Sequence, residues 1–157
     1  MVNSMNFLFK ELSLDADYKS LLNSVLKDRM PIVATGLSDI HKALVVSALT
    51  SELSRKAVII TEAAANTLKD DFNSFVVSCV NFPSRDYCIG DIEGYSREYE
   101  HKRIHTLSEL LDGDFSVLTM SIEATLQYTV PKDVLNEKRI TLKTGSEYDI
   151  TTISKQF

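Results

Sequence analysis

Apolar residues along the first half of this chain alternate between short continuous runs and helix-like patterns. The runs Pro31–Thr35, Ala57–Thr61 and Phe75–Val80 are short and rich in β-branched residues, which is typical of buried strands. Between them, Ile40–Leu53 and Glu62–Phe72 carry apolar residues at helical spacing. Strands that alternate with helices in this way predict right-handed crossovers and a parallel sheet with both faces covered.

The pattern continues on both sides of these elements and then changes. Helical spacing recurs at Asp17–Lys27 and at Tyr99–Leu111. Phe115–Met120 predicts a fourth strand, and Ser121 caps a short helix that ends near Tyr128. Lys138–Thr144 instead alternates polar and apolar residues, as a half-exposed strand does. We therefore predict an α/β fold, a three-layer sandwich with a mainly parallel sheet.

The change of pattern near residue 137 predicts the domain organisation. A chain of 157 residues suits a single domain with at most the start of a second. We expect residues 1–16 to be an N-terminal extension and residues 17–136 to form the α/β domain. Residues 137–157 are expected to be the truncated start of the following domain.

Composition and charge exclude several classes of protein. The chain is 44% hydrophobic and 25% charged, as globular proteins are, and no apolar run approaches the roughly 20 residues of a membrane helix. The N-terminus lacks the basic region of a secretory signal, so we expect a cytoplasmic protein without membrane contact. The net charge is −5 and the basic residues are scattered, which argues against direct DNA binding. Cys79 and Cys88 lack the spacing of a disulfide framework or zinc site.

A candidate phosphate loop follows the first predicted strand. The motif GxxxxGK[ST] holds phosphates with backbone N–H groups and a lysine, and its hydroxyl binds magnesium. Here Gly36 and Lys42 stand at the first glycine and the lysine, but His41 replaces the second glycine and Ala43 replaces the hydroxyl residue. The loop is therefore predicted to be vestigial, with no cofactor and no catalytic residue.

A long irregular loop follows the third predicted strand. Asn81–Tyr95 is rich in glycine and aromatic residues, and it either forms a site at the carboxyl end of the sheet or covers the top of the core. Arg103 lies on the apolar side of the next helix, where an unpaired charge would be costly. We predict a structural ion pair between Arg103 and Asp86, Asp91 or Glu93.

The same helix carries two histidines one turn apart. His101 and His105 are spaced as a metal-binding pair. No further ligand is evident, and Glu98 and Glu109 share their face. Surface ion pairs are therefore the preferred interpretation, and no metal site is predicted.

Several short motifs occur in an order that resembles a known family. In chain order they are Thr35–Ser38, Phe82–Asp86, Ser96–Glu98, Lys102–Ile104, Leu107–Leu111, Phe115–Thr119, Ser121–Leu126, Pro131, Ile140–Gly145 and Asp149–Ile150. This set resembles the N-terminal, UvrB-like module of bacterial transcription-repair coupling factors (the Mfd family), from domain 1a into the start of domain 2. The resemblance covers nearly the whole chain, from about Tyr18 onward.

The resemblance implies a function through a larger parent protein. The family's members are cytoplasmic, ATP-driven DNA translocases that remove stalled RNA polymerase and recruit nucleotide excision repair. Their UvrB-like module has lost its phosphate loop, in agreement with His41 and Ala43 here. The implied partners are the rest of the parent chain and, through it, RNA polymerase and UvrA. The family's UvrA-docking surface lies in the second domain, so no residue of this chain is assigned to it.

Two other functions remain open from the sequence. In the first, Lys42 and the backbone N–H groups of Gly36–Lys42 still bind a phosphate or nucleotide at the helix N-terminus, without hydrolysis. In the second, the chain is a flavodoxin-like domain that binds a ligand between the Gly36 loop and Asn81–Tyr95.

Overall fold

The computed structural model describes residues 2–62, 65–75, 77–84, 98–140, 142–149 and 151. Over these residues the helices are α1 (Val2–Leu12), α2 (Ala16–Leu26), α3 (Asp39–Leu53), α4 (Ala65–Ser74), α5 (Glu98–Asp112), α6 (Ile122–Leu126) and α7 (Lys132–Lys138). The strands are β1 (Ala57–Thr61), β2 (Cys79–Phe82) and β3 (Val117–Ser121).

The strands form a parallel sheet in the order β1-β3-β2. β3 is central, and its Val117 is aligned with Ala57 on one side and with Cys79 on the other. Val117 and Thr119 are fully buried, as expected for a central strand between two helical layers. The predicted α/β class with a parallel sheet is therefore confirmed.

Two groups of buried side chains lie on opposite faces of this sheet, because successive strand residues alternate between the faces. The first core cluster packs beneath α3 and α4, and the second packs beneath α5 and α6. The first cluster consists of Ala43, Phe72, Phe75, Val77, Cys79 and Val117. The second consists of Val80, Phe82, Leu118 and Ala124.

Helix boundaries follow the signals in the sequence where those signals are local. The carboxylate of Asp15 accepts a hydrogen bond from the Tyr18 N–H at 2.8 Å and caps α2. The Ser121 hydroxyl accepts one from the Ala124 N–H at 3.2 Å and caps α6. The predicted Ser121 cap is confirmed, because a cap depends on residues only three positions apart.

The predicted strand at Pro31–Thr35 is wrong. The segment is irregular and mostly exposed, with 84% of Val33 accessible to solvent. Strand propensity reflects packing and pairing with neighbours more than an intrinsic backbone preference. In the described structure this segment pairs with none of the three strands, so its apolar composition does not make it a strand.

Two other predicted strands also differ from the structure. α4 extends to Ser74, so the strand predicted at Phe75–Val80 begins only at Cys79 and reaches Phe82. Lys138 ends α7, and the described residues of Lys138–Thr144 form no strand. An alternating pattern becomes a strand only where a neighbouring edge offers backbone partners, which the pattern itself does not specify.

The chain divides into two compact units, residues 1–127 and residues 128–157. In the first unit α1 packs on α3, and Phe9 contacts the first core cluster, so part of the expected extension belongs to the unit. In the second unit the Lys143 N–H donates to the Tyr148 hydroxyl at 2.6 Å. The division falls before α7, whereas the sequence placed a boundary at residue 137. Within the described residues, no helix has the length and apolar character needed to cross a membrane.

Candidate functional site

The turn before α3 has part of the geometry of a phosphate loop. Gly36 has a φ of +80°, in the left-handed region that favours glycine. Ser38 then adopts the extended conformation of an N-cap, and α3 begins at Asp39. The helix therefore starts before the lysine and already includes His41 and Lys42. The open loop that would surround a phosphate is reduced to two residues after Gly36.

Lys42 is engaged within its own helix. Its ammonium lies 2.9 Å from the Asp39 carboxylate, and both side chains are exposed. The Lys42 N–H donates to the Ser38 carbonyl at 2.9 Å, so this amide also has a partner. An incoming phosphate would have to displace a carboxylate from Lys42 and would remain beside that negative charge.

His41 and Ala43 occupy the two altered positions of the motif. The Ser38 hydroxyl lies 2.9 Å from Nδ1 of His41, and this pair takes the place of a side-chain cap on α3. Ala43 is completely buried in the first core cluster. A hydroxyl at position 43 of this backbone would face the core, where it could not reach a magnesium ion at the helix N-terminus.

A cavity of about 590 Å³ lies between α2 and the segment that leads to this turn. Inside the same region Tyr18 is buried, and its hydroxyl donates to the Glu52 carboxylate at 2.8 Å. Burial, and then this bond, raise the pKa of the Tyr18 phenol above its usual value. The cavity is lined by Leu12, Asp15, Asp17, Tyr18, Ser20, Leu21, Ser24, Ile32, Val33, Ala34, Thr35, Leu37 and Val45.

Sequence reasoning missed the contact between Tyr18 and Glu52. Helical spacing placed Tyr18 on the apolar face of α2, but nothing in the sequence connected it with a residue 34 positions later. No local signal identifies such a pair, because it depends on how α2 packs against α3.

Arg103 forms a second polar centre, at the carboxyl end of β2. Only 4% of the residue is exposed, which agrees with its position on the apolar side of α5. Its Nη1 donates to the Pro83 carbonyl at 2.6 Å and to Oε1 of Gln127 at 3.0 Å. The guanidinium also lies 4.2 Å from the centre of the Phe82 ring. These contacts join the end of β2, α5 and the end of α6.

The carboxylates predicted as partners of Arg103 lie outside the described residues. Asp86, Asp91 and Glu93 all belong to residues 85–97, so that ion pair stays a prediction. The same applies to most of the loop Asn81–Tyr95, of which the structure describes residues 81–84. The interactions of Arg103 with a carbonyl, an amide and an aromatic ring were not predicted.

The exposed face of α5 carries polar contacts between residues one turn apart. Lys102 pairs with Glu98 at 2.7 Å, and Nε2 of His105 lies 3.8 Å from Glu109. Among the residues that the structure describes, no three histidine, cysteine or acidic side chains are placed to hold a metal ion.

The described cysteine is buried in the core. Cys79 belongs to the first core cluster, and burial raises the pKa of its thiol. A buried thiol with a raised pKa is poorly suited to nucleophilic chemistry. Cys88 lies outside the described residues.

Comparison with known proteins identifies no relative. No protein-family model, curated protein or solved structure matches the chain.

Proposed function

We propose that this chain is a non-catalytic interaction domain of the UvrB-like type found at the N-terminus of transcription-repair coupling factors. In this proposal it is a scaffold within a larger protein that links stalled RNA polymerase to nucleotide excision repair. Its own ATP site is disabled, and contacts with UvrA and RNA polymerase are made through the parent protein. The ordered set of motifs described above supports the family assignment.

The first turn of α3 is the observation that carries the non-catalytic part of the proposal. Lys42 is paired with Asp39, His41 with Ser38, and Ala43 is enclosed in the core. The side chains of Lys42 and His41 are therefore engaged in local interactions that compete with nucleotide binding, and position 43 supplies no ligand. Hydrolysis would also require a magnesium ligand, and alanine supplies none.

A phosphate- or nucleotide-binding domain is the second candidate. The first amides of α3 have the orientation that attracts anions, and the 590 Å³ cavity reaches Thr35 and Leu37 beside them. Asp15, Asp17 and Asp39 place negative charge around this region, which disfavours an anionic ligand. The charge therefore supports the scaffold over this alternative.

Calorimetric titration with Mg-ATP and with ADP tests the two candidates. We expect no heat of binding from the unmutated chain, because Lys42 is engaged and Ala43 offers no ligand. The same result is expected for the His41→Gly/Ala43→Ser variant, since position 43 faces the core. The scaffold proposal would be overturned if the unmutated chain bound a nucleotide with micromolar affinity, if Lys42→Ala abolished this binding, and if the control Lys102→Ala retained it.

A further inference from the structure

Within the described residues, the outer edge of β1 carries backbone groups without a partner strand. β1 pairs with β3 on one side, where the Ala57 N–H donates to the Ser116 carbonyl at 2.9 Å. Alternate residues of a strand direct their N–H and C=O groups to the same neighbour. Those of Val58 and Ile60 therefore point away from β3, and no strand of the described structure pairs with them.

The same two residues expose apolar side chains. Val58 is 57% exposed and Ile60 is 58% exposed, although both belong to a strand of the main sheet. Ala57 and Ile59 point to the opposite face and pack against the first core cluster. An unpaired edge with exposed apolar residues is a surface that proteins normally protect, because it readily accepts another strand.

The sequence of β1 and its flanking residues is complementary to itself in the antiparallel direction. If two copies pair about a two-fold axis at Ile59, Val58 of each copy lies opposite Ile60 of the other. Both residues of this pair have outward N–H and C=O groups, as a hydrogen-bonded antiparallel pair requires. Their side chains also share one face of the sheet, so they would shield one another from water.

The charges at the two ends of β1 favour the same register. Lys56 and Glu62 flank the strand. In this arrangement Lys56 of each copy lies opposite Glu62 of the other copy. Lys56 is held at the strand end because its ammonium donates to the Gly113 carbonyl at 2.7 Å and lies 4.0 Å from the Phe115 ring centre. Gly113 and Phe115 lead into β3, so the ammonium would turn from the β3 side to the outer edge in order to pair with Glu62 of a second copy. Glu62 is exposed.

We propose that the outer edge of β1 is a homodimer interface, in which two copies of the chain join their sheets through antiparallel β1 strands. A two-fold dimer uses the same surface on both copies, and this edge is self-complementary in hydrogen bonding, apolar contact and charge. The strand has only five residues, so the interface is small and the dimer is expected to be weak and concentration-dependent.

Sedimentation velocity over a micromolar to millimolar range tests the proposal. The unmutated chain is expected to change from monomer to dimer as its concentration rises. Ile60→Lys is expected to raise the dimer dissociation constant at least about tenfold, because it places like charges at the interface. Ile104→Lys is the matched control, since Ile104 is 48% exposed but lies on α5. Circular dichroism verifies that both variants keep the fold.

Three outcomes of this measurement would overturn the proposal. They are an unmutated chain that stays monomeric over the whole concentration range, larger assemblies instead of a dimer, and a dimer that Ile60→Lys leaves unchanged. A chain that stays monomeric would mean that another part of the chain, or a different protein, covers the outer edge of β1. Glu62→Lys gives a second exposed variant, and we expect it to weaken the dimer because it faces Lys56 of the other copy.

Cysteine cross-linking tests the register. Ile59→Cys places two thiols directly opposite each other at the axis, within the Cα separation that a disulfide allows. Val58→Cys places them on a diagonal, which is too far for efficient bridging. Under mild oxidation Ile59→Cys should give more covalent dimer than Val58→Cys, measured above the background from the parent chain's own cysteines. The reverse order would contradict the register.

Discussion

The first turn of α3 and the centre around Arg103 both hold a cation, but they do so by different means. Lys42 is exposed and pairs with a residue three positions away in the same helix. Arg103 is buried, and its partners Pro83 and Gln127 are 20 and 24 positions away in the sequence. The first arrangement requires only a helix, whereas the second requires the sheet, α5 and α6 to be assembled.

This difference determines what each region contributes. An exposed pair within one helix adds little to stability, because water and salt screen it. It is nevertheless enough to reduce the attraction of Lys42 for a phosphate. The hydrogen bonds of Arg103 replace water that the folded chain excludes, so removing the guanidinium is costly. We therefore expect Arg103 to contribute strongly to stability, whereas the pairing of Lys42 with Asp39 contributes little to stability and disfavours phosphate binding.

The largest effect is expected from Arg103→Met. This substitution removes the donor to the Pro83 carbonyl and to Gln127, together with the contact with the Phe82 ring. We expect the free energy of unfolding, measured with urea, to fall by about 2–4 kcal/mol. Lys102→Met is the control, because the neighbouring Lys102 is exposed, and its effect should be too small to resolve. Equal effects from the two variants would contradict the distinction between the regions.

Tyr18→Phe is expected to have an intermediate effect. The change removes the hydrogen bond to Glu52 but keeps the buried ring, so it should cost about 1 kcal/mol of unfolding free energy. Tyr99→Phe, on the exposed face of α5, is the control.

The pH dependence of stability provides a second readout for Tyr18. Because its phenol pKa is raised, the folded state keeps the proton where the unfolded chain has lost it. The contribution of Tyr18 to the free energy of unfolding is therefore full below about pH 10 and is lost as the pH rises above that value. Above pH 10, the free energy of unfolding of Tyr18→Phe should therefore decrease less steeply with pH than that of the unmutated chain. Parallel curves would rule out the proposed role of this proton.

The smallest effect is expected at the pair of Asp39 and Lys42. A double-mutant cycle with Asp39→Ala and Lys42→Ala should give a coupling energy below about 0.5 kcal/mol, which added salt reduces further. The measurement is urea unfolding of the four proteins at low and high salt. A coupling above about 1 kcal/mol would mean that the first turn of α3 is a structural element comparable with the Arg103 centre.

Much of the fold was predictable from the sequence, because its signals are local. Helical spacing predicted α2, α3 and α5, and the capping residue Ser121 predicted where α6 begins. Alternating strands and helices predicted the parallel sheet. The candidate phosphate loop was also recognisable, because its altered residues lie within eight positions of one another.

The errors share one cause, which is that a pattern does not specify its partner. Pro31–Thr35 and Lys138–Thr144 have strand-like composition, but their described residues form no strand. β1 has an ordinary buried-strand sequence, yet it lies at an edge and exposes Val58 and Ile60. Whether an apolar run becomes a central strand, an edge or an irregular segment depends on which backbone groups are available beside it.

The sequence by itself therefore determined the α/β class and most helices, and it shows that His41 and Ala43 depart from the phosphate-loop motif. Only the tertiary structure decided that Arg103 bonds to Pro83 and Gln127, that Tyr18 meets Glu52, and that β1 lies at an edge of the described sheet. The physical reason is the range of the interactions. Helical periodicity and caps act over three or four residues, whereas burial and strand pairing depend on residues brought together from distant parts of the chain.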